Sequence, residues 1–170
     1  MITRKEIPQE VAEVADTLEK AGFEAYLVGG CVRDLMLEKT PKDWDITTNA
    51  VPEEIQKLFP ETFCNNDYGT VGVVNENTED GRLKVVEVTP YRKEGEYSDA
   101  RRPDRVEFGV TLEEDLKRRD FTINALAYRL KNESLVDLFD GEGDLRKKRI
   151  QAVGLPDERF AEDALRMMRA

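Results

Sequence analysis

Asp43 and Asp45 stand at positions i and i+2 in the run PKDWDIT, with Trp44 between them. In a strand, alternate side chains share a face, so this spacing predicts both carboxylates on one side and the indole on the other. Two like charges held that close repel unless a divalent cation sits between them. Mg²⁺ suits such a place, because it takes hard oxygen ligands and commonly one or two carboxylates plus substrate phosphates. A solvated strand edge or an aspartate turn is the plain alternative. A third carboxylate, Glu87, interrupts the apolar run of LKVVEVT. If that strand neighbours the one at Trp44–Thr48, Glu87 faces the same metals, as two-metal phosphoryl transfer requires. An edge-strand glutamate facing water fits the same spacing.

Two further groups bear on an anionic substrate. Gly29–Gly30 follows an apolar strand and opens a helix that carries Arg33. Glycines at such a junction let backbone N–H groups approach a phosphate, and a guanidinium adds a charge-assisted fork; a tight turn is the simpler explanation. The pattern is neither a P-loop nor G-x-G-x-x-G, so ordinary kinase and dinucleotide-fold assignments lose support. Asp163, Arg166 and Arg169 follow at i, i+3 and i+6 on a final helix, where the first two share a face. That pattern is common in surface ion pairs. It also sets an acceptor beside donors, the complement of the exocyclic amine and ring nitrogen shown by cytosine and adenine but not by uracil or guanine.

The elements that must carry these groups follow from periodicity. Helices are predicted at Pro8–Ala21, Cys31–Glu38, Pro52–Phe59 and from the capping box Thr111-x-x-Glu114 toward Arg119. Phe121–Leu130 is predicted helical, and Pro156–Ala170 a helix burying Ala161, Ala164, Leu165 and Met168. Strands are predicted at Ala25–Val28, Trp44–Thr48, Thr70–Val74, Leu83–Thr89 and Leu135–Phe139, with a charged loop at Tyr91–Asp104. The result is a mix of helices and strands that ends on a helix.

The chain has 170 residues, a net charge of −10, two cysteines and no histidine. Without histidine, catalysis rests on carboxylates, Arg/Lys, hydroxyls or a hard metal ion. Cys31 and Cys64 are too few for a disulfide framework or a thiolate metal site, and a reducing cytoplasm is the expected setting. No apolar run has the length of a membrane span. The acidic balance argues against general nucleic-acid binding. The basic residues are nonetheless clustered, as in Lys117–Arg119, Arg101–Arg102 and Arg146–Arg149, so a polyanion can still meet a positive surface.

Taken together, LVGGCVRDLMLEKTPKDWDITTNAVPEEI, RRDFTINALA and EDALRMMR resemble the motifs, in order, of class II tRNA nucleotidyltransferases and bacterial poly(A) polymerases of the polymerase β-like superfamily. The resemblance runs from about residue 7 to the end. It implies an α+β head over residues 1–153, a small curved, mostly antiparallel sheet with flanking helices, followed by the first helix of an all-α neck over 154–170. It implies CMP and AMP transfer from CTP and ATP to the tRNA 3′ end, with Mg²⁺ at Asp43 and Asp45 and Glu87 as third carboxylate. Gly29, Gly30 and Arg33 would hold the triphosphate. Arg119 and Asp120 would lie near sugar and phosphates, Asp163 and Arg166 would read the base, and Arg169 would add a contact. The loop Tyr91–Asp104 matches the family's flexible loop, which favours full CCA addition or A addition over CC alone. Poly(A) polymerase is the nearest competitor, and a catalytically silent nucleotide-binding module is the alternative of another class. Tyr68 stands where many relatives have histidine before Gly-Thr-Val. The family continues into a helical body and tail that grip tRNA, so the chain resembles its head with the start of the neck.

Overall fold

The computed structural model describes residues 2–64, 68–95 and 105–170. Helix α1 (Gln9–Lys20) buries Val11, Val14, Ala15 and Leu18, its 3.6-period stripe, against the sheet. Strand β1 (Ala25–Val28) is buried on both faces and leads through Gly29 into α2 (Gly30–Met36). Then follow β2 (Asp45–Thr48), α3 (Pro52–Leu58), β3 (Thr62–Cys64), β4 (Val71–Val74) and β5 (Val85–Pro90). Strands β6 (Arg92–Glu94) and β7 (Val106–Phe108) form a separate antiparallel ribbon. Helix α4 (Leu112–Lys117), strands β8 (Leu126–Arg129) and β9 (Ser134–Asp137), and helices α5 (Gly141–Lys147) and α6 (Pro156–Glu162) complete the order.

Seven strands make one sheet in the order β3-β4-β5-β2-β1-β8-β9. Among the described residues only the β2–β5 pair is parallel; the other pairings are antiparallel, in keeping with the mostly antiparallel sheet expected. The β1 side chains alternate between two cores. Leu27 joins Val32, Trp44 and Ile46 on one face, while Tyr26 and Val28 meet Tyr91, Leu116 and Ala127 on the other. Each such aliphatic side chain contributes about 1.5–3 kcal/mol when fully buried. The capping box is present: Thr111 Oγ1 accepts from Glu114 N–H at 3.3 Å, and Glu114 accepts from Thr111 N–H at 3.0 Å.

Two predicted helices are corrected. Phe121–Leu130 is a short 3-10 turn, Thr122–Asn124, followed by β8. The run is mostly apolar, and its few polar residues do not choose between a buried helix and a buried strand; pairing with β1 and β9 decides it. Pro156–Ala170 is likewise not one helix. It breaks at Asp163, which is extended (φ −143°, ψ 104°) and caps Leu165 N–H at 2.9 Å, opening a 3-10 segment over Ala164–Arg169. An aspartate offers the backbone this alternative to a continuing helix. The predicted apolar face is exposed at Ala161, Ala164, Leu165 and Met168, whereas Asp163 and Arg166 are buried. In the loop predicted at Tyr91–Asp104, residues 96–104 lie outside the described residues; its flanks are the ribbon β6–β7.

Candidate nucleotidyl-transfer site

Strand β2 begins at Asp45, not at Asp43. Asp43 is exposed on a bend just before the strand, so strand alternation does not align the two carboxylates. Trp44 is buried, and its carbonyl accepts Glu87 N–H at 3.1 Å. The parallel register then sets Asp45 opposite Glu87. Burial first, then the charge of Glu87, raises the Asp45 carboxyl to about 6; Arg119 opposes this and Asp43 adds to it. Asp43, Asp45, Glu87 and Arg119 therefore share one electrostatic neighbourhood.

Gly29 brings the second group in. Its φ of +75° lies in the region that favours glycine, and a Cβ there would come within 3.2 Å of Arg119 Nη1. Close approach of the Arg119 guanidinium to this backbone turn thus depends on a missing side chain. A Cβ at Gly30 would be 3.6 Å from Arg33 Nη2. Arg33 donates to Asn124 Oδ1 at 2.8 Å and to Asp34 Oδ1 at 2.8 and 2.9 Å. Asn124 in turn donates to Asp120 Oδ1 at 3.1 Å. Gly29, Gly30, Arg33, Arg119 and Asp120, far apart in sequence, are gathered at one end of β1.

Asp163, Arg166 and Arg169 reach this cluster from the last segment, with a pairing that differs from the helical spacing. Arg169 bridges Asp120 (3.0 Å) and Asp163 (3.1 Å). Arg166 donates to Glu162 Oε2 at 2.6 Å and to the carbonyls of Arg159 (3.0 Å) and Arg118 (3.3 Å). Because the helix breaks at Asp163, Arg169 rather than Arg166 salts its carboxylate.

The sequence did not single out Asp115, which is fully buried in α4. It accepts from Arg118 Nη2 (2.8 Å), Arg118 Nε (3.0 Å), Arg119 Nη2 (3.2 Å), Thr47 Oγ1 (3.3 Å) and Arg92 N–H (3.3 Å). Burial works against its charge, but Arg119 and then Arg118 outweigh it and hold the carboxyl below the usual range. Its i+3 and i+4 spacing to two arginines was the available signal. Arg119 Nε is buried with no hydrogen-bond partner among the described residues, leaving a donor for an incoming acceptor.

The oxygen donors suit a hard cation: two aspartates and a nearby glutamate, with like charges that a cation would relieve. Among the described residues, no three His, Cys, Asp or Glu side chains are drawn together as a metal cluster. A seat of that kind suits Mg²⁺ bound by one or two carboxylates and completed by phosphate oxygens.

Residues 25–151 match the family described as the poly A polymerase head domain. The chain belongs to that family. It is 51% identical over 166 residues to a CCA-adding enzyme of Lactobacillus delbrueckii subsp. bulgaricus, a match covering 97% of this chain and 40% of the relative. Among solved structures it resembles the Bacillus stearothermophilus CCA-adding enzyme in complex with CTP, with 41% identity and a TM-score of 0.82 over 95% of this chain and 37% of that one. A tRNA nucleotidyltransferase complexed with a primer tRNA and an incoming ATP analog is 30% identical, with a TM-score of 0.71 over 92% of this chain and 42% of that one. The chain thus spans about 40% of the length of the curated relative it matches. Among the described residues no helix is long and apolar enough to cross a membrane.

Proposed function

We propose that this chain is the catalytic head of a cytoplasmic CCA-adding tRNA nucleotidyltransferase, transferring CMP and then AMP from CTP and ATP to a tRNA 3′ hydroxyl. The observation that carries the proposal is the Asp45–Glu87 register, with Arg119 in the same neighbourhood and against Gly29. The likeness to a CTP-bound CCA-adding enzyme supports the choice of substrate. Asp43 and Asp45 would hold Mg²⁺, which when bound lowers the pKa of the attacking hydroxyl and neutralises charge on the phosphates. Glu87 adds negative charge to that seat and helps retain the cation. Arg33 and Arg119 orient the triphosphate and stabilise the departing pyrophosphate, with the Arg119 Nε donor open to an anion. Asp163 and Arg166 read the base edge, and Arg169 fixes Asp163 beside Asp120. The Arg166 donors are engaged by Glu162 and two carbonyls here, so base reading exchanges those bonds for bonds to the nucleotide. Residues 154–170 begin the neck, and the rest of the tRNA grip belongs to the helical body and tail of longer relatives.

The test is calorimetry of CTP, ATP, UTP and GTP with Mg²⁺, followed by transfer to a tRNA lacking its 3′ end with the helical body supplied. Preference for CTP and ATP together with CCA addition is expected. Equal binding of all four nucleotides would remove the base-reading role of Asp163 and Arg166. Nucleotide binding without any transfer would favour a silent binding module, and a poly(A) tail would favour the competing polymerase.

A further inference from the structure

Tyr68 is one of the groups that join the β6–β7 ribbon to the main body. The turn at Tyr68–Gly69 lies directly beneath the ribbon: a Cβ on Gly69 (φ +77°) would come within 2.6 Å of the Phe108 ring on β7. Arg92, on β6, has its guanidinium carbon 5.5 Å from the centre of the Tyr68 ring and donates through Nη1 to the Tyr68 carbonyl at 2.9 Å. Arg92 Nη2 donates to Glu94 Oε1 at 3.0 Å, and Arg118 Nη1 donates to the same oxygen at 3.0 Å. Arg118 and Arg119 then share Asp115, which also accepts Arg92 N–H.

Among the described residues, Arg92 and Arg118 pair with Glu94, and Arg118 and Arg119 pair with Asp115. Arg92 and Arg118 are largely withdrawn from water and draw on the same Glu94 oxygen. The negative face of an aromatic ring is a partner for such a cation that takes nothing from the carboxylates. With the ring gone, Arg92 would compete more strongly for Glu94 and loosen Arg118, and through Asp115 also Arg119.

We propose that Tyr68 is a positioning residue: its ring seats Arg92 so that Glu94 and Asp115 stay committed to Arg118 and Arg119 at the nucleotide site. The consequence for substrate rests on the nucleotidyl-transfer assignment above. Tyr68 touches no reacting atom; it acts through the arginines.

Two measurements on the chain decide this. Calorimetry with CTP and Mg²⁺ is expected to show Tyr68→Leu weakened roughly three- to tenfold and Tyr68→Phe within about twofold of the parent. Arginine Nε–H resonances, recorded without nucleotide, are expected to shift for Arg118 in Tyr68→Leu and to stay in place in Tyr68→Phe. Thermal melts establish that each variant folds, and Tyr68→Met carries the same test if Tyr68→Leu does not. A lower melting temperature with unmoved Arg118 and Arg119 signals would overturn the proposal. So would a Phe variant as impaired as the Leu variant, since that would assign the role to the hydroxyl. A parent chain that ignores CTP would count against the nucleotide assignment instead, and the resonances would still decide the role of Tyr68.

Discussion

Glu87 stands directly opposite Asp45 in the parallel pairing of β2 with β5. Two acidic side chains at one register position destabilise each other, and neither is neutralised by a salt bridge among the described residues. The arrangement costs stability, and in the proposed function the return for that cost is a seat for a cation.

Removing one charge should therefore stabilise the fold while abolishing transfer. Burial and then Glu87 push the Asp45 carboxyl up to about 6, so its ionised form is disfavoured in the folded state. The penalty is present above that value and fades as pH falls toward about 4, the unfolded value. Asp45→Asn is expected to raise stability at pH 7.5 by about 1–3 kcal/mol, with the gain shrinking at pH 4. Urea melts at the two pH values measure it; a destabilised Asn variant at neutral pH would contradict the electrostatic account.

Gly29→Ala is expected to do the opposite. The φ of +75° strains any L side chain, and the added Cβ would sit 3.2 Å from Arg119 Nη1. A loss of about 1–3 kcal/mol in stability follows from the backbone alone, and displacement of Arg119 should weaken CTP binding beyond that. Melts and calorimetry separate the two effects; unchanged affinity in the folded variant would detach Arg119 from the nucleotide.

Acid should unfold the chain partly through two buried aspartates. At Asp144 the Thr122 hydroxyl, 2.6 Å away, holds the carboxyl below its ordinary range, with help from Arg149. Asp115 is held down by Arg119 and Arg118 against burial. A carboxyl depressed in the folded state contributes stability that is complete above the unfolded pKa and is lost as pH falls through the folded one. Stability should thus decline from about pH 4 downward. Thr122→Val, which removes the donor to Asp144, should cost about 1–2 kcal/mol at pH 7 and flatten that decline. A variant with the parent's full acid sensitivity would exclude this bond as its source.

The two cysteines should differ sharply toward alkylating agents. Cys31 is buried beneath the site, where burial raises its thiol to about 11, whereas Cys64 is exposed. Since the thiolate is the nucleophile, Cys64 should react at least roughly a hundredfold faster at pH 8. Peptide mapping after a timed pulse of iodoacetamide reads the ratio. Comparable labelling of Cys31 would show that the β1–α2 junction opens readily.

Much of the chemistry was legible in residue types and order. Without histidine, an acid-rich strand start, a Gly-Gly turn with an arginine behind it and a run of two arginines before an aspartate point to anion and metal chemistry. The amphipathic stripe of α1 and the capping box of α4 were equally local, because they depend on residues three or four apart. Phe121–Leu130 and the break at Asp163 were not. A mostly apolar run fits either a helix or a strand until a partner strand supplies its hydrogen bonds, and a helix ends at an aspartate only when capping competes successfully with continuation. The same limit applies to the site. The sequence by itself determined which groups are present: the acids, the arginines and the glycines that admit them. Tertiary structure decided which of them meet across the chain, because Glu87 reaches Asp45 through strand pairing, Arg119 reaches Gly29 from the end of α4, and Asp115 adds the donors of Thr47 and Arg92 to its two local arginines.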